Sequence, residues 1–261
     1  MKVVAVVQAR MGSTRLPGKV LLEVAGAPML ERMVERLLFA RTLSEVVVAT
    51  TSDALDDPLR ALCGRRGWPC VSGHPTDLID RHLQAAPDAD VVVKIPSDCP
   101  LIDPRVVDRV VGEFLAAPGA YDYLSNLHPQ SYPDGNDVEV MPRAALELAF
   151  HEARRPHERE HTTPFLWDDP SRFRVGNVSY DRDLSMTHRF TVDYPADYAL
   201  VKAVYAALQR QGEPFSLEEI LAFLDEQPQV YALNHHLCGV NWYRHHLDEL
   251  RTITAADTVA P

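Results

Sequence analysis

Between Gln8 and Lys19 the chain reads Gln-Ala-Arg-Met-Gly-Ser-Thr-Arg-Leu-Pro-Gly-Lys, a stretch that sets Gly12 and Gly18 among Arg10, Arg15 and Lys19. Residues 1–22 hold these cations and Lys2 but no Asp or Glu, although the whole chain carries 37 acidic against 26 basic residues. Glycines let backbone N–H groups approach phosphate oxygens, and Arg and Lys add forked and point-charge donors to the same anion. The chemistry this suggests is polyphosphate binding. The spacing is not that of a Walker A loop, because five residues separate Gly12 from Gly18 and Val20 stands where a magnesium-binding Ser or Thr belongs; GxGxxG is absent as well. The competing reading is a solvated loop whose glycines only turn the chain.

Two acids occupy a similar position further along, Asp98 after Val91-Val-Val-Lys-Ile-Pro-Ser and Asp193 after Arg189-Phe-Thr-Val. Magnesium takes one or two carboxylates and completes its octahedron with substrate phosphate and water, so two converging aspartates are enough for a shared Mg²⁺. The bland alternative is that each caps the next turn. His157-Glu-Arg-Glu-His161 satisfies HExxH, but Pro156 and Pro164 crowd it and leave little room for the helix a zinc protease needs. His235, His236, His245 and His246, with Trp242 and Tyr243 nearby, are read as packing or surface and receive no role.

The elements that must hold these residues alternate. Continuous apolar runs at 3–7, 45–50 and 90–95 have the form of strands buried on both faces, and helix patterns at 29–41, 55–66 and 77–86 fall between and around them. In the first helix Met29, Leu30, Met33, Val34, Leu37 and Leu38 form the apolar stripe, with Glu31, Arg32, Glu35 and Arg36 assigned to water. A fourth helix opens with Asp103 as N-cap and Pro104 at its first position. The second half predicts strands at 121–125, 136–141, 173–180 and 189–193 and helices at 142–154, 195–211 and 216–226, so the sheet becomes mixed. This βα alternation without a linker predicts one α/β domain over residues 1–250, a three-layer α/β/α fold with a mixed, mostly parallel sheet, and a frayed tail at 251–261.

The run QARMGSTRLPGKVL (8–21), together with SDCPLID (97–103), DGNDVEV (134–140), REHTTPF (159–165) and RFTVDYPADYALV (189–201), resembles the SpsF-type branch of the cytidylyltransferases, which is similar to the CMP-sugar synthetases for sialic acid and Kdo. The resemblance spans residues 2–235. It implies a nucleotide-diphospho-sugar-transferase (GT-A-like) fold, CTP as substrate with Mg²⁺, an acidic small-molecule acceptor, and release of pyrophosphate. Carried over by position, Gln8, Ala9, Arg10, Gly12, Ser13, Arg15, Lys19 and Ser97 would bind nucleotide, with Arg10, Lys19 and Asp98 at the chemistry and Asp98 and Asp193 on the metal. Thr50, Thr51 and Asp53 lie where the family reads the base. Asp137, Glu139, Arg159, Glu160, His161 and Arg189 fall on the acceptor side. The chain departs from the pattern at Lys94, where Arg is commoner, and at Pro96-Ser97; Lys cannot reproduce Arg's bidentate fork. The Gln-Gly-Asp pattern of Kdo enzymes is missing. A dimer is implied only by analogy. A glycosyltransferase of similar fold and a non-catalytic nucleotide-binding protein are the rival readings.

A formal net charge of −11 argues against coating nucleic acid. The apolar runs are far shorter than the ~20 residues of a membrane span, no signal-peptide pattern opens the chain, and Cys63, Cys70, Cys99 and Cys238 form no CxxC pair. The expectation is a cytoplasmic protein with reduced thiols and no membrane partner.

Overall fold

Every residue of the first strand, β1 (Val3–Gln8), is enclosed except its last, and β1 lies inside a seven-stranded sheet in the computed structural model, which describes residues 1–260. The other strands are β2 (Glu23–Val24), β3 (Ala27–Pro28), β4 (Glu45–Thr51), β5 (Cys70–Gly73), β6 (Val91–Pro96), β7 (Tyr123–Ser125), β8 (Glu139–Pro142) and β9 (Val175–Asn177). The sheet runs β5-β4-β1-β6-β8-β7-β9, while β2 and β3 form a separate hairpin. From β5 to β6 the pairings are parallel; β8 is antiparallel to both neighbours, and β9 is again parallel to β7. Mixed order thus begins where the apolar runs shorten, as expected.

The helices are α1 (Met29–Leu37), α2 (Asp57–Arg66), α3 (Leu78–Ala85), α4 (Pro104–Ala116), α5 (Arg143–Glu152), α6 (Pro156–His161), α7 (Pro164–Trp167), α8 (Pro195–Leu208), α9 (Leu217–Glu226) and α10 (Pro228–Tyr231). Successive strand residues face opposite ways, so Val3, Ala5 and Val7 join a core with α1, α2, α4, α8 and α9, while Val4 and Val6 join a second core with α3, α5 and α7. Helices on both faces explain why β1, β4 and β6 carry no polar alternation. The result is the three-layer α/β/α arrangement. Among the described residues no helix is long and apolar enough to cross a membrane.

Several sequence expectations need correction. In α1, Arg36 is buried rather than solvated, donating from Nε to Ile102 O at 2.7 Å and from Nη2 to Phe215 O at 2.7 Å, whereas Leu38, just past the helix, is exposed. Segment 189–193 forms no strand. It meets two loops instead of a ladder: Thr191 N donates to Asp134 O at 3.0 Å and Val192 N to Asp98 O at 2.8 Å. Gly135 permits that approach, since its φ is +105° and a Cβ there would sit 2.4 Å from Thr191 N. The HExxH stretch does form a helix, because Pro156 sits at its first turn, where a missing N–H costs nothing; Thr162, with φ +73°, ends it.

Residues 251–259 fold back onto the domain. Buried Asp168 accepts from Arg251 N (2.8 Å) and Thr252 N (2.9 Å), and Val259 N donates to Gly239 O at 2.9 Å.

Candidate active site

The loop that leaves β1 is fixed by the chain around it. Met11 O accepts from Ser13 N (2.9 Å) and Gly18 N (3.1 Å), and Gly18 adopts φ +69° to start the turn that carries Lys19. Buried Asp56 accepts from Met11 N at 2.7 Å and, on its other oxygen, from Thr51 N and Thr51 Oγ1. Burial alone would raise the Asp56 carboxyl, but these donors outweigh it and hold it below the usual range. Thr51 therefore braces the loop.

Loop, strand ends and the second half of the chain enclose a cavity of about 630 Å³. Gln8, Ala9, Arg10, Gly12, Ser13, Arg15, Lys19, Ser97, Asp98, Asp137, Glu139, Glu160, His161 and Asp193, all singled out from sequence, line it. Asp98 and Asp193, 95 positions apart in the chain, are brought to one ammonium: Lys19 Nζ donates to Asp98 Oδ2 at 2.9 Å, to Asp193 Oδ1 at 2.9 Å and to Val192 O at 2.8 Å. Arg15 Nη2 reaches the same Asp193 oxygen at 2.6 Å. Burial opposes ionisation of both Lys19 and Asp193, yet their mutual attraction wins, raising the Lys19 ammonium and pressing the Asp193 carboxyl far below its ordinary value. A positive charge between two carboxylates is the electrostatic arrangement a divalent ion would need, so the donor set fits such an ion.

Beside this pair, Asp134 and Asp137 are half-buried acids. Burial is the main cause lifting the Asp134 carboxyl to about 7; Arg189, 2.7 Å from Asp134 Oδ2, opposes the rise, and Asp193 and Asp98 add to it. Burial and then Asp134 push Asp137 well above the carboxylate range. Glu139 goes the other way. It lies opposite Lys94 in the β6–β8 register and forms an ion pair with it, while Tyr123 Oη donates to Oε2 at 2.7 Å and Thr163 Oγ1 to the same oxygen. Burial is overcome by these contacts and Glu139 stays below its ordinary value. The Lys94 departure is thus a buried partner for Glu139.

Other expected site residues do not line the cavity. Thr50 is buried, Thr51 serves Asp56, and Asp53 caps a short turn by accepting from Leu55 N at 2.8 Å. Arg159 pairs with Asp77 and donates to Phe150 O at 2.7 Å. Arg189 is 1% exposed and acts as a hub beneath the site, bonding Asp134, Asp193, Asp197 and Val240 O. The HExxH pair does not converge: His161 stacks on Trp242 with centroids 3.8 Å apart, while His157 Nδ1 faces Glu249 Oε2 at 2.6 Å. It is His157, His246 and Glu249 whose ligand atoms gather within 4.8 Å. Sequence reasoning missed Arg81, Asp134, Trp242 and Arg244, which all line the cavity. Asp134 stood in the DGNDVEV motif; the other three had no motif to signal them.

A mixed, mostly parallel sheet with a cationic glycine loop at the C-terminal end of β1 and paired aspartates facing it defines a nucleotide-handling α/β protein of the nucleotidyltransferase type. Residues 4–234 match the family profile described as Cytidylyltransferase. The chain is 28% identical over 235 residues to the spore coat polysaccharide biosynthesis protein SpsF of Bacillus subtilis, covering 86% of this chain and 95% of that one. It is also 38% identical over 118 residues to a 3-deoxy-manno-octulosonate cytidylyltransferase of Geobacter metallireducens, covering 44% of this chain and 46% of that one. A solved cytidylyltransferase from Leptospira borgpetersenii superposes with a TM-score of 0.84 at 33% identity, covering 88% of this chain and 97% of that one. The chain belongs to the cytidylyltransferase family.

Proposed function

We propose that the protein transfers CMP from CTP to an acidic sugar or a similar acid, releasing pyrophosphate, as an activating step for surface polysaccharide or glycoconjugate synthesis. The observation that carries this reading is the meeting of Asp98 and Asp193 around Lys19 at the mouth of the glycine loop. Relatives named for SpsF and for a sugar-acid cytidylyltransferase support it.

Asp98 and Asp193 would hold a divalent ion, Mg²⁺ in this reading, which when bound neutralises phosphate charge. The chain's own residues do the rest. The backbone N–H groups of Gly12, Thr14 and Arg15, which the loop leaves open, would hold the triphosphate together with the Arg10, Arg15 and Lys19 side chains and offset the charge that grows on the leaving pyrophosphate. An acceptor hydroxyl oxygen bonds to the α-phosphorus, losing its proton to solvent, as the in-line bond to the pyrophosphate oxygen breaks. Asp137 and Glu160 edge the acceptor side, and the Glu139–Lys94 pair closes its floor. Catalysis is mostly positioning and electrostatics.

The test is to incubate the protein with each NTP, Mg²⁺ and a panel of acidic sugars and follow pyrophosphate. CTP-dependent release that requires an acid supports the reading; release from a nucleotide-sugar donor, or none with any NTP, favours a glycosyltransferase or a simple nucleotide binder. Asp98→Asn is expected to lose ~10²–10³ in rate with an unchanged thermal midpoint.

A further inference from the structure

Half of the lysines and arginines that line the cavity already have acids. Lys19 and Arg15 hold Asp193, and Lys94 holds Glu139. Three do not pair with a carboxylate among the described residues: Arg10, Arg81 and Arg244. Arg10 belongs to the glycine loop and Arg81 to α3. Arg81 is buried and donates to His74 O at 2.9 Å and Pro75 O at 2.8 Å; burial first, and then Arg10, lowers its guanidinium to about 10. Arg244 stands on the other wall, in a turn beyond the residues matched by the family profile, and its single bond is from Nη1 to Asn241 O at 2.5 Å.

That turn is held firmly. Asn241 Oδ1 accepts from Tyr243 N at 3.1 Å, and its amide donates to Asp257 O at 2.8 Å. Tyr243 is buried against Trp167 and lines the cavity together with Trp242 and Arg244 on either side. On the far side, Glu249 joins His157 and His246, and Arg155 Nη1 donates to Glu249 O at 3.0 Å. Trp242 is itself fixed by stacking on His161. A fixed guanidinium without a counter-acid beside a fixed indole is preorganised for a ligand that has a carboxylate and an apolar ring face.

Resting on the cytidylyl-transfer reading, we propose that residues 241–246 select the acceptor, with Arg244 taking its carboxylate and Trp242 lying against its carbon skeleton. Specificity resides in a segment outside the family's shared span.

The test titrates 3-deoxy-manno-octulosonate, N-acetylneuraminate and the carboxyl-reduced alcohol of each onto wild type, Arg244→Gln, Arg244→Lys and Trp242→Ala by calorimetry, without nucleotide and with CTP and Mg²⁺. Pyrophosphate release is then followed against acid concentration. Loss of one charge-assisted contact is expected to raise the dissociation constant and KM for the preferred acid about 10- to 100-fold in Arg244→Gln, with partial recovery in Arg244→Lys. CTP affinity and the thermal midpoint should be unshifted; the reduced alcohols should bind Arg244→Gln as weakly as they bind wild type, whereas Trp242→Ala should weaken acid and alcohol alike. An Arg244→Gln protein that binds the acid as wild type does overturns the proposal, as does a wild type that binds none of the acids. Failure to bind CTP would instead overturn the nucleotide reading, and the acid titrations would still judge Arg244.

Discussion

The wall that carries Arg10, Arg15 and Lys19 is one stretch of chain leaving β1, whereas the opposite wall gathers Asp134, Asp137, Glu139, Glu160, His161, Trp242 and Arg244 from separate segments. The first is shaped by backbone: glycine turns, carbonyl-capped amides and one anchoring carboxylate, Asp56. The second is shaped by buried charge, with Arg189 and the Lys94–Glu139 pair tying loops that share no ladder. A contiguous loop draws most of its geometry from its own backbone and here needs one outside anchor. An assembled wall depends on each buried pair.

The contrast can be broken at its ends. Arg189→Met should be the most damaging change, because it strands Asp134, Asp193 and Asp197 without their shared guanidinium; removing one partner of a buried pair costs about 3–5 kcal/mol. Chemical denaturation would show it, and Arg189→Lys should recover little, since one ammonium cannot span those acids. A stability loss below about 1 kcal/mol would mean the wall stands without its hub. Asp56→Asn should act on the other wall, raising the KM for CTP about 5- to 100-fold through a loosened Met11 amide and Thr51, with the KM for the acid unchanged. Equal effects on both substrates would argue that the walls are not independent.

A pH series sharpens the same picture. His82 is buried and His128 and His161 are half-buried, and loss of water disfavours the charged form of each, lowering them to about 3, 4 and 3. Above an unfolded value near 6.5 both states are neutral; as pH falls below it the unfolded chain alone takes protons, so stability drops until the folded values are reached, by up to about 1.4 kcal/mol per pH unit for each histidine. The raised Asp134 and Asp137 carboxyls work the other way in the same window, so the diagnostic is the difference: between pH 7 and 5, His128→Gln should lose less stability than wild type, and an identical dependence would mean that the His128 ring is solvated. Smallest of all, Asp53→Ala should leave the preference for CTP over UTP unchanged, because Asp53 only caps a turn. A lost preference would restore it to the base site.

What could be read from sequence follows the same division. The long apolar strands β1, β4 and β6, the Asp103 cap with Pro104, and the loop residues that reach the cavity were all legible, because each signal is local. Strand β5 was not: Cys70-Val-Ser-Gly is short and half-exposed, and owes its pairing to β4. Thr50 and Thr51 looked like base readers by position, but the inward turn of Thr51 toward Asp56 is a tertiary fact. Arg189 looked like a ligand contact and is a buried brace, since nothing local announces three acids converging on one guanidinium. Arg244 and Trp242 lay among histidines that looked like surface, and only the anchoring of Asn241 to Asp257 brings them inward.

The central claim is that the glycine loop, Asp98 and Asp193 share one metal-bound CTP. A crystal structure with CTP and Mg²⁺ tests it most directly. It should show the triphosphate against residues 10–19, the ion on Asp98 and Asp193, and Lys19 turned from its place between them onto phosphate. CTP bound elsewhere, or Lys19 still bridging both carboxylates with the ion remote from them, would contradict it.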